Sequence, residues 1–227
     1  MNTHAMHEQG LRLATAMAAL RDEHPLVLAI PRSGVPVADT IARQLGAPLD
    51  VVLARKLLSP DGRPLAGVAD GAVIVDDAAV SASRLSPELM TRLAEAERLR
   101  ILTLLERIRD GWPAPPVSGR TVIVVDDAVI TGLTMRAAIA ATRARGARRV
   151  VVATPLCAAD TAQLVLASAH DLFSLELVSA TAAARLHGDP RRKLCPPLGD
   201  AEIHDLIAAE LLDVEAEPFQ GLVLDGA

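Results

Sequence analysis

Two adjacent acids, Asp126 and Asp127, close a run of four apolar residues, Val122-Ile123-Val124-Val125. After the spacer Ala128-Val129-Ile130 comes the segment Thr131-Gly132-Leu133-Thr134. Each piece suits a different part of one ligand. The apolar run reads as a buried strand and the threonine–glycine segment as the start of a helix, and open α/β sheets bind ligands beyond the carboxyl ends of their strands. A helix start offers free N–H groups and the positive end of its dipole to a phosphate. Gly132 allows the backbone to approach that anion, and the hydroxyls of Thr131 and Thr134 add donors. Carboxylates aimed at a phosphate would repel it. They suit the vicinal hydroxyls of a sugar instead, so the pattern points to a sugar phosphate such as a ribose 5-phosphate.

The elements that must hold these residues are legible on both sides. Leu13, Met17 and Leu20 recur with helical spacing. Leu26–Ile30 is all apolar and ends at Pro31, as in a strand buried on both faces. A helix through Ala38, Ile41, Ala42 and Leu45 stops at Gly46, and Val51–Ala54 is a second apolar run. Leu57–Ala72, rich in Gly, Pro and Asp, reads as a long loop of the kind that covers sites. Ser86-Pro87 caps a helix carrying Ile101, Leu104, Leu105 and Ile108, which stops near Gly111; Trp112–Ser118 is a connector. Strand Thr121–Val125, a helix through Met135, Ala138 and Ile139, strand Val150–Ala153, helix Ala158–Ala169 and strand Leu172–Val178 follow. This alternation predicts an α/β fold, a mostly parallel sheet of about five strands with helices on both faces. Beyond Val178 the pattern fades into His187–Pro197, then a helix with Ile203, Leu206, Ile207 and Leu211; the tail from Asp213 holds four acids and no base. The expected organisation over residues 1–227 is one domain, with a core at about 10–180, a variable hood and C-terminal helix at about 181–212, and an acidic tail at 213–227.

Composition narrows the function classes. With 227 residues, 23 basic against 28 acidic side chains and a net charge of −5, the chain is not a basic nucleic-acid binder. Two Phe, one Trp and no Tyr leave no aromatic platform for stacking exposed bases. Apolar residues at 51% suffice for a core, yet no run approaches the ~20 needed to span a bilayer. The N-terminus lacks the pattern of a secretory signal, and Cys157 and Cys195 are too few for a disulfide framework or thiolate metal site. A cytoplasmic protein without nucleic-acid or membrane partners is expected.

Four apolar residues, an acid pair, a spacer and T-G-x-T resemble the phosphoribosyl pyrophosphate (PRPP) motif of type I phosphoribosyltransferases. Pro31-Arg32-Ser33-Gly34-Val35-Pro36, following the first strand, resembles that family's pyrophosphate loop, and Arg55-Lys56 its basic pair near the pyrophosphate or a neighbouring subunit. The resemblance extends over about residues 10–180. It implies transfer of the phosphoribosyl group from PRPP to a nitrogen acceptor, with Mg²⁺ carried on PRPP and a homodimeric assembly. Asp126 and Asp127 are then the catalytic pair. Arg32, Ser33, Gly34, Arg55 and Lys56 hold the pyrophosphate side, and Ala128, Val129, Ile130, Thr131, Gly132, Leu133 and Thr134 hold the 5′-phosphate. No direct protein–metal ligand is expected.

Two departures keep alternatives open. Ile130 occupies a position where many members have an acidic or small residue, and it cannot move a proton. The hood region holds Ala182–Ala184 and His187 where similar proteins carry aromatics. A non-catalytic PRPP or nucleotide sensor and a phosphoribosyl-site hydrolase therefore stand beside the transferase. Val73–Ser83 repeats the strand-and-acids pattern with Asp76-Asp77 but has Ala82 where the glycine should be, and reads as a chance likeness. Arg191-Arg192-Lys193 reads as a solvated loop, and the six histidines lack ligand spacing.

Overall fold

The computed structural model describes residues 3–31, 33–188 and 199–205. Helix α1 (Thr3–Ala16) and a 3-10 turn at Ala18–Glu23 lead to strand β1 (Leu26–Ala29), helix α2 (Val35–Leu45) and strand β2 (Leu49–Val51). Three strands follow, β3 (Ala54–Leu58), β4 (Pro64–Ala69) and β5 (Ala72–Val75), then helices α3 (Asp77–Ser83) and α4 (Pro87–Arg109). Strand β6 (Thr121–Val125), the short β7 (Ala128–Val129), α5 (Leu133–Ala144), β8 (Arg149–Ala158), α6 (Ala159–Leu166), β9 (Asp171–Val178) and α7 (Ala180–Gly188) complete the order.

The main sheet runs β2-β1-β6-β8, with β9 and β7 both paired to β8, and every pairing is parallel. The uninterrupted apolar runs become strands buried on both faces, as parallel strands under crossover helices must be. Because side chains alternate across a strand, each run feeds two cores. Val27, Ala29, Ile123, Val125, Val151 and Ala153 pack with Leu13 of α1 and Ile41 of α2. Leu26, Leu28, Val122, Val124, Val150 and Val152 meet Met135, Ala138 and Ile139 of α5. The α/β architecture expected from the alternation is the one observed. Gly46 closes α2 in the left-handed conformation (φ 62°), and Ser86 caps α4 by accepting the Leu89 N–H at 3.2 Å.

The amino end of the sheet is tied by charge. Glu23 accepts from the Thr121 hydroxyl at 2.5 Å and pairs with Arg148 and Arg149, and Arg149 also reaches Asp171 at 2.7 Å. Arg120 donates to the carbonyls of His24 and Pro25 at 3.1 and 3.2 Å. These bonds fasten the turn before β1 to β6, β8 and β9.

Residues 57–72 are not a long loop. Strands β3, β4 and β5 form a separate antiparallel sheet, in which Lys56 faces Gly67 and Ala69 faces Ala72 across the two-residue turn Asp70-Gly71. The physical reason was present in the chain: Asp-Gly pairs flank the apolar run Leu65–Ala69, which is a strong hairpin signal. Leu65 and Val68 join one core and Ala69 the other, so the arm is held by burial on both faces. The decoy at Val73–Ser83 follows the strand-to-helix order, but Asp76 is spent capping α3, accepting the Ala79 N–H at 2.9 Å. Helix α7 covers Ala180–Gly188, where the pattern had faded; its alanines give strong helix propensity but little periodic contrast. Arg32, Arg191-Arg192-Lys193, Leu206 and beyond, and the acidic tail lie outside the described residues. No helix among those described is long and apolar enough to cross a membrane.

Candidate active site

Strand β6 ends by delivering Asp126 and Asp127, both half-buried, to the carboxyl edge of the sheet. The Asp127 N–H donates to Asp126 Oδ1 at 2.9 Å. Burial foremost, and then the neighbouring Asp127 carboxylate, push the Asp126 carboxyl well above its ordinary range, while Lys56 opposes the shift.

Downstream of the acids the chain pairs briefly with β8, Ala128 with Leu156 and Val129 with Cys157, before turning into α5 at Gly132 (φ 71°). No side chain of the described residues caps α5, so its first-turn N–H groups are left for a ligand or water. Lys56, Asp126, Ala128, Val129, Ile130, Thr131, Gly132, Thr134 and Met135 line one cleft. Gly132 has reasons beside the expected one. A Cβ there would lie 2.6 Å from the Thr161 methyl, on the side of α6, so glycine answers to the left-handed backbone and to α6 packing, not only to the approach of an anion.

The pyrophosphate-loop candidates adjoin the acids. Gly34 presses against the end of β6: a Cβ would stand 2.6 Å from the Ile30 carbonyl oxygen, 2.8 Å from that of Val125 and 3.1 Å from the Asp126 Cα. Ser33 precedes it in the turn; Arg32 lies outside the described residues. The basic pair is split by the strand pleat. Lys56 enters the cleft, whereas Arg55, on the other face of β3, bonds Glu97 of α4 at 2.6 Å. Leu133 is buried, and its carbonyl meets β4, where a Cβ on Gly67 would collide with it. Gly67 thus lets the arm carrying Lys56 lie directly on the start of α5. Sequence reasoning missed Gly67, Met135 and Thr161; the Asp-Gly turns around Leu65–Ala69 could have located the first. Cys157 is buried, which raises its thiol to about 11 and removes it as a nucleophile at neutral pH.

The family model described as the phosphoribosyl transferase domain matches residues 4–186. The chain belongs to that family. Two Mycobacterium tuberculosis proteins, from strains CDC 1551 / Oshkosh and ATCC 25618 / H37Rv and both provisionally named phosphoribosyl transferase, are similar to this phosphoribosyltransferase domain. Each is 38% identical over 152 residues, which is 66% of this chain and 34% of theirs. The chain spans about a third of the length of these curated relatives. A Thermus thermophilus protein known from its crystal structure superposes on the phosphoribosyltransferase domain with a TM-score of 0.69 at 31% identity, covering 90% of this chain and 96% of that one.

Proposed function

We propose that this chain transfers the 5-phosphoribosyl group of PRPP to a nitrogen acceptor, such as a nucleobase or related heterocycle, and releases pyrophosphate. The observation that carries this reading is the convergence of Lys56, Asp126 and the uncapped start of α5 on one cleft. The residues divide the ligand between them. The loop Ala128–Thr134 takes the 5′-phosphate, with backbone N–H groups and the hydroxyls of Thr131 and Thr134 as donors. Asp126 and Asp127 take the ribose hydroxyls and hold negative charge near the anomeric carbon, which becomes positive as pyrophosphate departs. Arg32, the Ser33-Gly34 backbone and Lys56 hold the leaving group; Arg55 serves that side by securing β3 to α4, or from a partner subunit's site.

Among the described residues no group of three or more His, Cys, Asp or Glu side chains could hold a metal ion. The donor set fits Mg²⁺ carried on the diphosphate, because Mg²⁺ keeps several waters and takes one or two carboxylates plus substrate phosphates. Asp126 and the adjacent Asp127 are the oxygen donors that would face the ion, which would be carried on PRPP and would supply charge neutralisation on the leaving group. The same reading proposes a cytoplasmic homodimer that takes PRPP and a small-molecule acceptor.

One observation favours a second reading, a PRPP or nucleotide sensor. Ile130 packs against the apolar cluster of Leu156, Ala158 and Ala183, so no proton-transfer group stands at that position. Pyrophosphate release measured with PRPP, Mg²⁺ and a panel of purines, pyrimidines and other nitrogen heterocycles separates the two. Acceptor-dependent release supports the transferase, PRPP binding without release supports the sensor, and failure to bind PRPP overturns both.

A further inference from the structure

The loop that meets the proposed 5′-phosphate is held from behind by one side chain of α6. Thr161 is buried, and its hydroxyl donates to the Ile130 carbonyl at 2.5 Å. Its methyl occupies the space where Gly132 lacks a Cβ, with 2.6 Å left for any atom built there. One residue therefore fixes both ends of the Ile130-Thr131-Gly132 turn, one end by a hydrogen bond and the other by contact. Across a trans peptide the carbonyl and the following N–H point in opposite directions. Turning the Ile130 carbonyl toward α6 thus turns the Thr131 N–H away from α6, toward the cleft that Thr131 lines.

We propose that Thr161 is a positioning residue for phosphate recognition, setting the direction of the Thr131 N–H through the Ile130 carbonyl; this rests on the PRPP reading above. Without the bond, the Ile130–Thr131 peptide is free to rotate, and its partly buried carbonyl seeks another donor. The N–H that an anion must find is then present but unaimed, and misaimed donors lose most of their value because hydrogen bonds weaken steeply off axis. Thr161 touches no ligand in this scheme.

The test compares Thr161→Val, which keeps the shape and loses the hydroxyl, with Thr161→Ser, which keeps the hydroxyl. Calorimetric titrations use PRPP with Mg²⁺, ribose 5-phosphate, and pyrophosphate, the last probing the Ser33-Gly34 side alone. Thr161→Val is expected to weaken PRPP and ribose 5-phosphate about tenfold or more while pyrophosphate stays within about twofold, and Thr161→Ser is expected to stay near wild type for all three. Equal PRPP affinity in Thr161→Val and wild type overturns the proposal, as does an equal loss of pyrophosphate binding, which marks general disruption. Deuterium exchange in the free protein separates this from the functional reading. Faster exchange over residues 128–134 in the Val variant, but not in the Ser variant, supports positioning even if wild type ignores PRPP, an outcome that would sink the PRPP reading alone. Unchanged exchange in the Val variant overturns positioning.

Discussion

Gly34→Ala isolates the steric demand that brings the two phosphate-facing loops together. Gly34 has φ −72°, a conformation open to every residue, so alanine introduces no backbone strain and only a methyl group. That methyl would meet the Ile30 oxygen at 2.6 Å and the Val125 oxygen at 2.8 Å, where ordinary contacts begin at 3.4 Å. Both obstacles are backbone atoms, one at the end of β6 and one just past β1, and neither can swing aside as a side chain could. The turn must therefore retreat from β6 by about 0.8 Å to restore ordinary contact. Overpacking of this kind costs about 1–3 kcal/mol of folding stability. The larger effect falls on function, since a displacement of ~1 Å within a positioned site costs roughly 100-fold. Urea unfolding reads the first quantity, and PRPP titration at a temperature where the variant is fully folded reads the second. A folded Gly34→Ala protein that binds PRPP within about twofold of wild type would refute the placement of this turn against Asp126.

Gly46→Ala is the converse control: at φ 62° with nothing within 4 Å of a new Cβ, it should cost about 1 kcal/mol in urea unfolding and leave PRPP affinity unchanged. Arg109→Met strands Asp50, which is buried and bonded to Arg109 at 2.6 Å, so a loss of about 3–5 kcal/mol is expected, with partial recovery in the Asp50→Asn, Arg109→Met double variant by the same melts. Asp126 has its folded-state carboxyl raised above the ordinary 3.8, so the unfolded chain gives up that proton first as pH rises and wild-type stability falls through that window. Asp126→Asn should accordingly be more stable than wild type at neutral pH, with the advantage vanishing as pH falls below 3.8; an advantage that persists there would contradict the assignment. For assembly, light scattering should give twice 23.8 kDa, and a mass of 23.8 kDa would reject the dimer.

What the sequence disclosed and what it concealed follow from the range of the signals. Leu26–Ile30 and Val122–Val125 are short, purely apolar and bounded by Pro31 and by Asp126, so burial alone declares them strands. Gly46 and Ser86 announce helix ends because capping acts within a few residues. The segment 57–72 reads as a loop because its Gly and Pro content outweighs the apolar run Leu65–Ala69, although the Asp-Gly pairs on either side are local too. The separation of Arg55 from Lys56 needs only the strand pleat, but only once β3 is known to be a strand. Thr161 was not legible as a site residue, and Gly67 only as a position on a strand between two Asp-Gly turns. Gly67 meets Leu133 and Thr161 meets Ile130 across long stretches of chain, so the partner in each contact is set by the tertiary fold.

The two rims of the main sheet also differ in what change they can absorb. At the amino rim, Glu23, Thr121, Arg148, Arg149 and Asp171 are joined by mutual bonds, so altering one orphans others. At the carboxyl rim, among the described residues, the cleft side chains of Lys56, Thr131 and Thr134 are not fastened to one another by comparable ties. Replacing one of those three side chains therefore removes a donor to the sugar phosphate while the lower rim keeps the strands in register. For these side chains, unlike the glycines packed behind them, selection for ligand contacts and selection for a folded chain would act on separate positions.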